Sequence, residues 1–152
     1  MAIIRVSAKA IIIRNGRLLA TKNVDDRGVF YVLPGGGQQP GEPLPVALGR
    51  ECKEEIGVEV EVGDLVLVRD YIGSNHEFAR WDGDVHQVEL MFLCSLPEGQ
   101  IPRNGAEPDS YQVSVEWLDL DSLDAYRLYP KALKQYLGSS EARRPAYMGD
   151  VN

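Results

Sequence analysis

The stretch RECKEEIGV, Arg50 to Val58, carries the densest charge in the chain. On a helix each residue advances about 100°, so Glu51, Glu54 and Glu55 fall within an arc of about 100°, with Glu51 and Glu55 nearly stacked. Like charges at that spacing destabilise a helix by roughly a few tenths of a kcal/mol per pair. Upstream, Glu42 adds a fourth carboxylate, and Arg50 lies on the side of the cluster from which it reaches back toward that residue. A cation that takes oxygen ligands reverses the repulsion. Mg²⁺ or Mn²⁺ fits a few carboxylates together with waters and substrate phosphates. Three consecutive glycines, Gly35, Gly36 and Gly37, precede the cluster, and they let backbone pass where a Cβ would collide. Taken alone, RECKEE is equally well the solvated face of an acidic helix.

These groups need a helix to present them and a scaffold to hold it. From Pro43 to Ile56 the pattern is helical: proline is accepted in a first turn, and Gly57 is placed as a C-terminal stop. Leu44, Leu48, Cys52 and Ile56 recur every four residues and form the expected buried stripe. Before the helix, VSAKAIIIRNGRLLATK reads as a hairpin turning at Asn15-Gly16, and VFYVLP as a short strand running into a glycine loop. After it come two strand patterns, VEVEVGDLVLVRDYIG and VHQVELMFLCSL, the second expected to be central. The polar segment GSNHEFARWDGD lies between them. PEGQIPRNGAEPDS is a loop by composition, YQVSVEWLDL a last strand and YPKALKQYL a short amphipathic helix. Residues 138–152 read as a polar tail, either flexible or docked on a neighbour. Strand groups flanking one central helix predict a layered α/β sandwich with a mixed sheet.

Length and charge bound the class. The 152 residues suit one domain, so residues 1–152 are read as a single unit. A formal charge of −7 argues against a basic face for a nucleic-acid polymer. No apolar run approaches a membrane span, and the start MAIIRVSAKAIIIRNG lacks the pattern of a signal peptide. Cys52 and Cys94 both fall in apolar patterns, as reduced core cysteines would in a cytoplasmic protein.

The spacing of the charged groups adds a sharper clue. From Gly36 the order is five residues, Glu42, seven residues, Arg50-Glu51, apolar Cys52, one residue, Glu54-Glu55, one residue, Gly57 and apolar Val58. This resembles the Nudix box, GX5EX7REUXEEXGU, with U an apolar residue; Cys52 stands where a bulkier aliphatic is usual. The resemblance is close over the box and looser elsewhere. It implies a Nudix-type α/β/α sandwich and metal-dependent hydrolysis of a pyrophosphate bond, in a nucleoside diphosphate linked to another group. It also implies that Glu51, Glu54 and Glu55 bind Mg²⁺ or Mn²⁺, with the Gly35 carbonyl as a further oxygen. Glu51 or a carboxylate from a later loop would act on the attacking water. Gly36, Glu42, Arg50 and Gly57 would shape the box, with Glu42 and Arg50 tying loop to helix. The family also includes nucleotide-sensing domains that do not cleave, which often have degraded boxes and an attached partner domain. The intact box and short chain favour the enzyme. A homodimer would be unsurprising for the family.

Substrate choice is expected outside the box. Phe78 or Trp81 offers a ring for stacking a base, and Glu89 a further ligand or base; equally, Glu89 belongs to an alternating strand whose one face is core. His76 and His86 read more simply as solvated or structural. Glu107, Asp109 and Glu116 compete for the role of late-loop carboxylate. ADP-ribose-like sugars, nucleoside triphosphates and dinucleoside polyphosphates all remain open as substrates.

Overall fold

The computed structural model describes residues 3–137 and 145–152. Among them are nine strands: β1 (Ile4–Arg14), β2 (Arg17–Asp25), β3 (Gly28–Val32), β4 (Gly35–Gly37), β5 (Glu61–Ile72), β6 (His86–Ser95), β7 (Gln112–Asp119), β8 (Leu128–Tyr129) and β9 (Tyr147–Asp150). Three helices accompany them, α1 (Leu44–Ile56), the single turn α2 (Ala79–Asp82) and α3 (Leu133–Leu137). Asn15 and Gly16 both take positive φ, 52° and 72°, closing the β1–β2 hairpin that their sequence predicts.

The sheet is mixed and runs β8-β3-β2-β1-β6-β5-β9, with β4 added to β1 and β7 to β2. β1 pairs parallel with β6 along Ile4–Ile12 and touches β2 only near the hairpin, at Ile13 and Arg14. Its free edge is taken by the glycines, which pair antiparallel with Ser7–Lys9. Gly35–Gly37 are therefore a short strand and not a free loop, because an open β1 edge needs partners for its backbone groups.

Side chains alternate across a strand, and the core follows that period. Ala8, Ala10, Ile12 and Leu19 pack with Leu48, Cys52 and Ile56 of α1 on one face. Ile11, Leu18, Ala20 and Met91 pack with Leu123, Leu128 and Leu133 on the other. A sheet with helices on both faces is the expected α/β/α sandwich. The helical stripe is buried as read, with Leu48, Cys52 and Ile56 at 0% exposure and Leu44 half-buried; burial of Leu48 and Ile56 contributes ~1.5–3 kcal/mol each. Both cysteines are free thiols. No helix among the described residues is long and apolar enough to cross a membrane.

Two segments differ from the sequence reading. The polar stretch after β5 holds short helical turns that its composition did not suggest: a 3₁₀ turn over Gly73–Asn75 leads into α2. Of the tail read as flexible or docked, 138–144 lie outside the described residues, whereas Tyr147–Asp150 pair in parallel with β5. Little in that segment's composition marks it as a strand; Asp70 and Asp150, far apart in sequence, fix it through side-chain hydrogen bonds.

Candidate active site

The carboxylates sit on α1, and the loop before it is bound to the helix by one arginine. Arg50 donates to Glu42 through Nε and Nη2, both at 2.8 Å, and to the Gly37 carbonyl at 3.0 Å. Its Nη1 reaches Glu51 at 2.9 Å and Glu54 at 3.3 Å. Glu42 also accepts from the Gln39 amide at 2.8 Å. These hydrogen bonds, the arginine's first, hold the Glu42 carboxyl down at about 2. Arg50 thus neutralises part of the cluster and sets the loop against the helix.

Glu55 is different. It is 2% exposed, at the foot of the helix. Its Oε1 accepts from the Gly35 amide at 3.2 Å, and its Oε2 has no hydrogen-bond partner. Burial, then the negative charges of Asp109 and Glu51, push its carboxyl up to about 8 against the opposing pull of Lys9 and the Gly35 amide. Lys9 Nζ donates to the Gly35 carbonyl at 3.1 Å. It therefore competes for the oxygen expected to serve a metal.

Two glycines lie in close approach to other groups. Gly35 has φ 131°, and a Cβ there would lie 2.1 Å from the Ala8 carbonyl oxygen. At Gly36 a Cβ would lie 2.5 Å from a Glu51 carboxylate oxygen. So β1 backbone excludes a side chain at Gly35, whereas one at Gly36 would make the Glu51 carboxylate move. At the other end Gly57, φ 67°, closes the helix. The loop after β6 folds back onto the last carbonyls of α1. The amides of Arg103, Gly105 and Glu107 donate to Ile56, Glu55 and Glu54 at 3.0, 3.0 and 2.9 Å. The Gln112 side chain adds a second bond to the Glu55 carbonyl at 2.8 Å. Groups that would otherwise be unsatisfied at a helix end are thus paired. Among the three late carboxylates, Asp109 is the one whose charge acts on Glu55. Glu116 is spent elsewhere, on Tyr31 and Lys22.

Among the described residues no three carboxylates already converge as a metal cage; Arg50 draws Glu51 and Glu54 to itself. The donor set nevertheless suits a hard divalent cation. It is all oxygen, and the buried Glu55 Oε2 lacks any donor, which a cation would replace.

Between residues of β3, β5, β6 and the α2 turn lies a cleft of about 580 Å³. Phe30, Phe78, Trp81, Tyr111 and Tyr129 wall it, and Arg69, Gln87 and Glu89 supply polar groups. A smaller recess lined by Lys9, Leu33, Arg69 and Glu89 continues the cleft toward the glycine strand. The rings expected to stack a base do line the cleft, in different surroundings. Trp81 is 61% exposed. Phe78 packs edge-on against Tyr129, with ring centres 5.2 Å apart, and the Arg27 guanidinium lies 4.7 Å over its ring. Glu89 is brought to the cleft but is no free ligand: it is buried and paired with Arg69 at 2.9 Å. His76 and His86 bind Asp150 and Asp70 at 2.7 and 2.8 Å. The sequence reading missed Lys9 and Arg69. Their signal was a lone cation inside an otherwise apolar strand pattern, AKAIII and VLVRDY.

The NUDIX domain model matches residues 4–137. The nucleoside triphosphatase NudI of Enterobacter sp. (strain 638) is 33% identical over 130 residues, covering 78% of this chain and 88% of that protein. NudI of Salmonella heidelberg (strain SL476) is 31% identical over 138 residues, 84% of this chain and 94% of that one. A crystal structure of a MutT NUDIX hydrolase from Burkholderia pseudomallei superposes with a TM-score of 0.62 at 32% identity, over 78% of this chain and 85% of that one. With the carboxylate helix and its glycine strand in place, these matches over most of the chain leave one conclusion: it belongs to the Nudix hydrolases, which cleave pyrophosphate bonds with the help of divalent cations.

Proposed function

We propose that this protein is a Mg²⁺- or Mn²⁺-dependent pyrophosphohydrolase acting on nucleoside triphosphates. The observation that carries the reading is Glu55: a buried carboxylate beside Glu51 and Glu54, with one oxygen that no group satisfies. The choice of triphosphate over ADP-ribose-like sugars or dinucleoside polyphosphates leans on the relatives named nucleoside triphosphatase.

Glu51, Glu54 and Glu55 would hold the cation, with the Gly35 carbonyl as a further oxygen. When bound, it would neutralise charge on the phosphoryl oxygens and lower the pKa of the attacking water. The chain's own groups do the rest. Arg50 keeps Glu51 and Glu54 within one guanidinium's reach and joins them to Glu42, so loop and helix present their oxygens together. Lys9 brings a positive charge to the Gly35 carbonyl and lines the smaller recess. Glu51 or a late-loop carboxylate would take a proton from the water, and Asp109, whose charge acts on Glu55, is our choice for the latter. Trp81 and Phe78 form the apolar wall for a base, with Glu89 among the polar groups at its floor. The acidic chain needs the cation to accept a polyanion.

The test is a panel of nucleoside triphosphates, ADP-ribose and dinucleoside polyphosphates, each with Mg²⁺ and with Mn²⁺, in which phosphate and pyrophosphate are assayed separately. The reading expects monophosphate and pyrophosphate from a triphosphate at the highest kcat/KM. A preference for ADP-ribose by tenfold or more would replace the substrate assignment.

A further inference from the structure

Arg69 poses a problem of hydrogen-bond supply. It is 5% exposed and carries five N–H donors. Glu89, directly opposite it in the β5–β6 register, takes Nε and Nη2 at 3.2 and 2.9 Å. Gln87, next on the same face of β6, donates to Glu89 at 3.0 Å. That leaves Nη1 without an acceptor from the sheet. Its acceptors come from the far end of the sequence: the Val151 carbonyl and, at 3.3 Å, Asn152 Oδ1. Asn152, like Arg69, Gln87 and Glu89, lines the large cleft.

The segment that delivers these acceptors is fastened by groups outside the cleft. The Asp150 carboxylate gathers the Ile72 amide at 2.9 Å, Asn75 Nδ2 at 2.8 Å and His76 Nε2 at 2.7 Å. Tyr147 donates its hydroxyl to Asp70, which also holds His86. Backbone bonds from Val68 to Ala146 and from Val151 to Asp70 complete the pairing. The fastened segment itself, Tyr147–Asn152, lies beyond residues 4–137, the part that matches the family model, whereas the groups that hold it lie within that part.

We propose that Tyr147–Asn152 is a specificity-determining wall of the nucleotide cleft: by holding Arg69, and through it Glu89 and Gln87, it fixes the polar edge that reads the nucleobase. The inference rests on the nucleotide reading of the site given above. Its logic is that of a buried donor. If the wall is released, Nη1 loses both acceptors, and an unpaired buried N–H is costly. The guanidinium then turns to find water and takes the Glu89 carboxylate with it. Asp150 acts through β9 and is a positioning residue; Asn152 stands at the cleft itself.

The experiment uses the full chain carrying Asp150→Ala or Asn152→Ala. Steady-state kinetics are measured on four nucleoside triphosphates differing only in base, and calorimetry follows binding of the corresponding monophosphates. Both variants should raise KM and Kd for the preferred base roughly three- to tenfold, the loss expected for one or two hydrogen bonds, with kcat held within about twofold. The spread of kcat/KM among the four bases should narrow. Unchanged KM, Kd and base preference would overturn the inference, as would an equal fall in kcat for all four bases. If Asp150→Ala does not melt cooperatively, Asn152→Ala decides, since it keeps every backbone bond of β9. A parent that binds and hydrolyses nucleotides while both variants match it sinks this inference alone. A parent that neither binds nor cleaves any nucleotide sinks the proposed function, and the inference with it.

Discussion

Glu55 should be the point where activity and stability pull in opposite directions. Its carboxyl is raised from 4.5 to about 8, chiefly by burial, a difference worth at most ~5 kcal/mol. Below pH 4.5 the group is protonated in the folded and unfolded chain alike, and no penalty arises. Between 4.5 and about 8 the unfolded chain releases the proton while the folded one keeps it, so stability falls as pH rises. Above about 8 the penalty is constant. Glu55→Gln removes the ionisable group and keeps an acceptor for the Gly35 amide, but it places a new N–H where Oε2 has no partner, at a cost of about 1–3 kcal/mol. In chelator at pH 8.5 the variant should therefore be more stable than the parent by ~2–4 kcal/mol in denaturant melts. That advantage should vanish by pH 5. With Mg²⁺ present the order reverses in function: the amide lacks the charge that draws in a hard cation, and kcat should fall roughly a hundredfold or more. Parallel pH dependence for the two proteins in chelator would refute the burial argument. Parental turnover by Glu55→Gln would refute the metal role and leave the cluster as an acidic helix surface.

Arg50→Ala should lower the melting temperature by several degrees as well as turnover, because Glu42, Glu51 and Glu54 lose one shared partner; unchanged melting with a large loss of kcat would assign Arg50 a direct catalytic role. Gly36→Ala should disable turnover with the fold preserved in circular dichroism, since its Cβ would sit 2.5 Å from a Glu51 oxygen; parental kcat would show that Glu51 moves without consequence. Trp81→Ala should raise KM more than it lowers kcat, while Phe78→Ala, which also loses contacts to Tyr129 and Arg27, should lower thermal stability too. If both keep the parental KM on the best substrate, the rings only pack.

What the sequence revealed was local. The hairpin at Asn15-Gly16, the helix with its stripe at Leu48, Cys52 and Ile56, and the charged spacing from Gly36 to Val58 all depend on short-range periodicity and turn chemistry. The pairing of Arg50 with Glu42 was readable because both lie within the box. What escaped was long-range. That Gly35–Gly37 would complete the edge of β1, and that Lys9 would point at Gly35, follows from register across the sheet and not from either segment. The loop through Arg103, Gly105 and Glu107 read as irregular because its order comes from backbone bonds to the end of α1. Asp109 could not be separated from Glu107 and Glu116 until that loop was placed. β9 was illegible for the same reason, its register being set by Asp70 and Asp150 across about eighty residues of chain.

Pyrophosphate cleavage should depend on a divalent cation held by the α1 carboxylates. The most direct measurement is turnover of a nucleoside triphosphate by chelator-stripped protein, with Mg²⁺ or Mn²⁺ then added back in steps. Turnover should be absent in excess chelator and should rise to saturation with added metal, and the same titration of Glu55→Gln should stay near the baseline. Full turnover in excess chelator, with trace metal excluded, would contradict the account.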